Sequence, residues 1–386
     1  MITIETADNA LKSYYLDAVA ESLNLKINPF LAKIQHSTAD VVGKDVRKSV
    51  RIGVAGGVGA GTETGDLPKA QAANRVQFVS TLKNLYGTLE ISDKALRASA
   101  TNEGAFVNIL NDEMETLVRT AKFHFGRMLF GDGSGYLATA TRANGQQITV
   151  NNASNLAEGM YVDFYCFDTP MEKAQNRRII AVEREFNTLH IEGAPIEFSE
   201  DDDILIYLHG AEDNELTGLD AIFDNEELYG VDKSEYWFMR PYNKSVSNIT
   251  EHEIQLAIDK IEEYSGGKVN FIICSWGVKR ALVEYYRNLN MVLPMIEFEN
   301  GEKAMSFNGI PIVADRFCPK GTMYLLNTDD FKLHQLCDWK WLEGEDGKIL
   351  KQVPGKPVYT ATLVKYAELM CERPNGQGKL AGIVEK

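Results

Sequence analysis

Six glycines fall within the thirteen residues Gly53–Gly65, GVAGGVGAGTETG, a density that phosphate-binding loops share. Phosphate chemistry asks for more than glycine. A Walker loop follows its last glycine with Lys and then Ser or Thr, so that an ammonium and backbone N–H groups meet the phosphates at a helix start. Here Gly61-Thr62-Glu63 puts a carboxylate where the ammonium belongs. A dinucleotide fingerprint begun at Gly59 and Gly61 needs glycine at position 64, which is Thr64, and no helical period follows. The stretch therefore reads as a pliable connection.

The other chemical candidates fail in the same way. Ser134 in GDGSG resembles a nucleophile elbow, but that motif needs glycine at 132 and 136, where Asp132 and Tyr136 stand. His252-Glu253 starts a zinc pattern whose second histidine would occupy the position of Leu256. Cys274-Ser275-Trp276 opens a helix after a strand, yet an indole crowds an anion there and no histidine is paired with Cys274 by sequence. Trp339 and Trp341 share one strand face, which suits core or subunit contact. The acidic runs SEDDD and GAEDNE flank strands and read as solvated turns. No catalytic, metal or cofactor constellation survives, and the chain is expected not to be an enzyme.

The positioning elements are clearer. Leu11, Tyr15, Ala18, Val19 and Leu23 recur at helical spacing within 9–34, until Asn28-Pro29 breaks the pattern. Lys44–Val54 and Arg75–Ile91 read as two long strands around the glycine stretch, a two-stranded arm with a glycine-rich tip. From Asn102 to Phe130, Phe106, Leu110, Met114, Leu117, Ala121, Phe125 and Met128 line one stripe of a long helix. Its Arg127 suits the helix dipole, and Gly131 suits the C-terminal stop. Within 144–210 the period falls to two, giving four to six short strands in a small antiparallel barrel or sandwich. Thr250 and Glu253 form a capping box, Gly266-Gly267 ends that helix, KVNFIIC is a buried strand, and Ser275 caps the next helix. A long extended run covers Val358–Glu372.

Composition agrees with a globular α+β protein: 386 residues, 44% hydrophobic and 25% charged. No apolar run is long enough for a membrane helix, and the N-terminus has no secretory pattern. The five scattered cysteines indicate reduced, buried thiols. A net charge of −15 has the wrong sign for wrapping nucleic acid.

The order of parts, with INPFLAKI, GGVGAGTETGDLP, NLYGTLEISDKAL, GAFVNILNDEME, KFHFGRMLFGDGSG, NELTGLDAIFD and NGIPIVADRFCPKGTMYLLNTDDFKLH, resembles the major capsid proteins of tailed bacteriophages. The fold this implies is the Hong Kong 97-type fold with an inserted antiparallel β-barrel or sandwich. By position, the resemblance implies an N-terminal arm at 1–45 and an E-loop hairpin at 46–91. A peripheral domain follows at 92–143, with its spine helix at 102–130, then the inserted β-domain at 144–210. The chain returns to the peripheral domain at 211–248, forms an axial domain at 249–350, and ends in a strand at 351–386.

The function implied is a head protein whose pentamers and hexamers form an icosahedral or prolate shell around double-stranded DNA. It would enclose that DNA without sequence-specific binding, and the alternative is an encapsulin-like cargo compartment. Implied partners are further copies, a separate scaffolding protein (Met1 leads directly into the arm), a portal and, left open, a decoration protein, with no membrane. The location would be the virion, and the host cytoplasm during assembly. Arg47, Arg51, Gly56, Gly57, Gly59, Gly61, Glu63, Asp66 and Lys69 are the expected intersubunit contacts. Lys44, Arg47, Lys48 and Arg51 would meet acidic neighbours. Lys69 lies in the loop, but no asparagine and assisting carboxylate match it, so no covalent cross-link is expected.

Overall fold

The computed structural model of the chain describes residues 28–386, apart from 54–56, 67, 70, 71, 73, 95–102, 168–171, 199–202, 292, 298–302 and 345–346. The helical pattern expected before Asn28 and the contact residue Gly56 lie outside the described residues, as do the side chains of 103–111 and 172.

Asn28 opens the described chain with a capped turn, its side-chain oxygen accepting from Leu31 N at 2.9 Å. Two short strands follow, β1 (Gln35–Ser37) and β2 (Val41–Val42), then β3 (Asp45–Ile52) and β4 (Asn74–Thr81). β3 and β4 pair antiparallel from Asp45↔Thr81 to Ile52↔Asn74, and β2 adds a third strand. The extended run expected over 75–91 is broken at Leu82. Its second half is β5 (Lys83–Ser92), which belongs to a different sheet. Burial explains the break: β5 alternates strictly in a core, with Leu85, Leu89 and Ile91 inside, whereas the residues of β4 are mostly exposed or half-buried.

α1 (Glu103–Met128) is the long helix, about 39 Å at a rise of ~1.5 Å per residue. Met114, Leu117 and Phe125 of the expected stripe are buried, with Ala121 and Met128 half-buried against the same core. α1 lies close over β5 because position 87 is glycine: a Cβ there would sit 2.9 Å from Leu117 Cδ1.

β6 (Tyr136–Asn144), β7 (Gln147–Val150), β8 (Tyr161–Cys166), β9 (Glu172–Glu183), β10 (Thr188–Ile191) and β11 (Ile204–Leu208) close into an antiparallel barrel in the order β10-β7-β6-β11-β8-β9. Of the two architectures read from period two, the barrel is the one formed, and it opens at Tyr136, ahead of residue 144. Closure removes free strand edges, and side chains such as Ile148, Phe164, Ile179, Leu189 and Ile206 fill the interior.

The chain then forms α2 (Leu219–Asp224), a small hairpin of β12 (Glu227–Leu228) and β13 (Val231–Asp232), and β14 (Tyr242–Ser245). α3 (Glu251–Ser265), β15 (Phe271–Cys274), α4 (Trp276–Asn288), β16 (Met295–Glu297), β17 (Lys303–Phe307), β18 (Ile310–Ala314) and β19 (Met323–Leu326) follow. The last strands are β20 (Phe331–Trp341), β21 (Lys351–Gln352), β22 (Val358–Cys371) and β23 (Gly378–Ala381). A seven-stranded mixed sheet runs β14-β23-β19-β15-β18-β17-β16, with α3 and α4 contributing buried side chains to its core. The other large sheet is organised on β22, which pairs with β5 along ten residues and with β20 and β21 on its other edge.

Local signals fare well around α3. Thr250 Oγ1 accepts from Glu253 N, and Gly266 ends the helix in the left-handed region at φ 65°. The capping box is only half made, because the Glu253 carboxylate turns to Lys244 Nζ at 2.6 Å.

Candidate assembly surface

The expected contact residues come together on the β3–β4 hairpin and its connection. Arg47, Arg51, Gly57, Gly59, Gly61, Glu63, Asp66 and Lys69 are all exposed. The tip folds on itself through a turn in which Gly65 N donates to Thr62 O at 3.2 Å, and Gly59 lies over Pro68. Val58, an apolar side chain, is 94% exposed. Such a hairpin has little apolar surface of its own to bury.

Its base is anchored instead. Phe78 is fully buried and packs on Tyr229 at 5.6 Å and parallel to Phe238 at 6.4 Å. Val79 N donates to Tyr229 O at 3.0 Å, and Val46 is fully buried on β3. The expectation that the basic residues of this strand all serve a neighbour is corrected at Lys48. Its ammonium bonds Asp40 Oδ2 at 2.6 Å and lies 3.6 Å from Glu372 within the same chain. That bond raises the Lys48 pKa and lowers that of Asp40. Arg47 lies 3.3 Å from Asp45, an exposed contact worth little, and Arg51 has no carboxylate partner among the described residues.

A second locus joins the barrel to the body. Arg127, on the last turn of α1, and Glu215, at the end of GAEDNE, are both buried. Arg127 Nη1 donates to Glu215 Oε2 at 2.8 Å, and Nη2 donates to Oε1. Arg127 does stand in the last turn of α1, where the helix dipole favours it, and there it also meets a specific carboxylate. The reading of GAEDNE as a solvated turn is corrected at Glu215, which is buried while Glu212, Asp213 and Asn214 are exposed. The crossing is tight, since a Cβ at Gly218 would collide with the carbonyl oxygens of Met128, Leu129 and Gly131. Next to it, Thr217 N donates to Glu368 Oε1 at 3.1 Å. Glu368 is fully buried, its Oε2 has no hydrogen-bond partner among the described residues, and burial raises its pKa to about 7.

The chemical candidates resolve into structure. Ser134 sits in a turn in which Asp132 Oδ1 accepts from Ser134 N at 2.9 Å. The N-terminus of α4 is filled by the chain's own Glu385, which accepts from the Ser275 hydroxyl and from Gly321 N at 2.8 Å. Burial pushes the Cys274 thiol up to about 12, the wrong direction for a nucleophile. Trp339 and Trp341 are both in the core. Among the described residues there is no cluster of His, Cys, Asp and Glu able to hold a metal ion.

No protein-family model and no curated sequence matches this chain. Solved structures do match. The capsid asymmetric unit of cyanophage A-1(L) aligns with a TM-score of 0.54 over 91% of this chain and 90% of that one, at 11% identity. The chain has the Hong Kong 97-type fold. The SrpI encapsulin complex of Synechococcus elongatus aligns with a TM-score of 0.50, at 9% identity, over 93% and 89% of the two chains. The six-stranded barrel interrupts the chain between α1 and α2.

Proposed function

We propose that this chain is the major head protein of a tailed bacteriophage. In this reading it assembles into pentamers and hexamers that close an icosahedral or prolate shell around double-stranded DNA. One observation carries the proposal: the Hong Kong 97-type fold spans nearly the whole chain and extends a hairpin whose connecting tip is exposed. Ordering an arm of this kind costs conformational entropy, which contact with a second copy offsets. The role is structural, without catalysis. A net charge of −15 opposes tight binding of a polyanion, so DNA is enclosed rather than wrapped. A separate scaffolding protein and a portal are the further partners, a decoration protein being left open, and the chain itself is in the host cytoplasm during assembly and in the virion afterwards.

The encapsulin match supports a second reading, a shell that packages protein cargo. Particles purified from the producing cells distinguish the two. Nuclease-protected double-stranded DNA supports the phage head, and a co-purified enzyme in DNA-free shells supports the compartment.

A further inference from the structure

Beside the outer half of β3 runs a groove of about 1160 Å³, with Arg51 on its hairpin wall and Trp237, Arg240 and Tyr264 on its body wall. Two features of this groove are unlike ordinary surface. The first is aromatic exposure: Trp237 is 75% exposed and Tyr264 59%. Trp237 stands outward because its neighbours are held in. Phe238 stacks on the hairpin's Phe78, and Met239 is fully buried. The guanidinium of Arg240 lies 4.2 Å from the Trp237 ring centroid, and Arg240 Nε is fixed by Lys233 O at 2.7 Å. The indole is thus presented on a rigid support before any partner arrives, which reduces the entropy lost on contact. The second feature is charge. Asp330 and Glu372 line the groove too, yet in a chain of net charge −15 neither Arg51 nor Arg240 has a carboxylate within 4.0 Å among the described residues.

A preorganised Trp with Arg and Tyr around it has the composition of an interface hot spot. We infer that the Trp237–Arg240–Tyr264 groove is a contact between copies of this chain, with Trp237 as its apolar anchor and Arg51 and Arg240 meeting carboxylates of a second copy. A second copy is the occupant that fits: its acidic surface complements the exposed Arg51 and the Arg240 guanidinium, which the chain's own hydrogen bonds tie only to the backbone carbonyls of Lys233 and Ser234, and the groove continues directly onto the hairpin that the assembly reading gives to self-contact. The inference rests on that reading and adds to it the body-side residues that receive a neighbour.

Tryptophan fluorescence tests it without disrupting the groove. The chain has four tryptophans; Trp339 and Trp341 are 5% exposed, so W276F leaves Trp237 as the one open to an aqueous quencher. In unassembled W276F protein, acrylamide quenches Trp237 efficiently. In particles of the same protein, the Trp237 quenching constant falls at least fivefold. Particles in which Trp237 stays as quenchable as in the free subunit overturn the inference and leave the assembly reading standing. Trp237 protected only when a different protein is bound also overturns it. A chain that forms no particles under any condition removes the assembly reading and this inference together. As a second arm, W237A lowers particle yield at least tenfold while the subunit's thermal unfolding stays unchanged, and an unchanged yield contradicts the inference.

Discussion

Arg127 and Glu215, 88 positions apart, form a buried two-pronged ion pair where the inserted barrel rejoins the long helix. Removing one partner leaves a buried charge unpaired, which typically costs about 3–5 kcal/mol. R127M and E215Q are each expected to lower the chemical-denaturation midpoint strongly. The double variant R127M/E215M is expected to recover most of the loss, because a packed apolar pair avoids the desolvation cost. A double variant as weak as the singles would show that the pair acts through something other than charge.

Gly87 and Leu117 set the distance between α1 and the sheet below it. G87A forces its new methyl group onto the Leu117 side chain and is expected to destabilise by about 1–3 kcal/mol. G87A/L117A should be less unstable than the sum of its single changes, since the second truncation makes the room the first one needs. Additivity of the two effects in equilibrium unfolding would contradict the close packing.

Glu368 gives a signed pH dependence. Burial raises its pKa to about 7, from an ordinary glutamate value of 4.5, so the folded chain binds this proton more tightly than the unfolded chain does. Its contribution is fully present below the unfolded pKa and is lost as pH rises toward 7, on the order of 3 kcal/mol. E368Q should flatten this fall and make the protein more stable than the parent at pH 8. Parallel pH profiles for the two proteins, measured by thermal unfolding, would remove Glu368 as the cause.

The hairpin base depends on Phe78, which is fully buried between Tyr229 and Phe238. F78A is expected to cost about 3–5 kcal/mol of local stability. Hydrogen exchange should then accelerate across 45–52 and 74–81 and stay unchanged in the barrel strands of 136–208. Acceleration spread equally through the barrel would mean that the hairpin is not an independent unit of stability.

Elements with a strong period or a local stop signal were legible in the sequence. The long helix, the period-two barrel strands, the Thr250 and Ser275 caps and the Gly266 stop all depend on near neighbours. Strand breaks and pair partners were not. Leu82 separates two strands of similar composition, and only the partners of β4 and β5 place them in different sheets. Glu215 looks like part of a solvated acidic turn until the fold brings Arg127 beside it. Lys48 looks available to a neighbour until the fold sets it against Asp40, with Glu372, just past β22, close by. The residues expected to make contacts on the hairpin could be placed together by chain position and, where described, are exposed, whereas Trp237, Arg240 and Tyr264 carry no motif and meet only through tertiary structure. An exposed tryptophan beside a turn was the available hint.

The central claim is that this chain builds a closed shell from copies of itself, and electron microscopy of the purified full-length protein tests it most directly. Closed particles or curved sheets of pentamers and hexamers, with the 45–81 hairpin lying on an adjacent subunit, are the expected result. A monomer that persists at high protein concentration, alone and with the other head proteins of its source, would contradict the account.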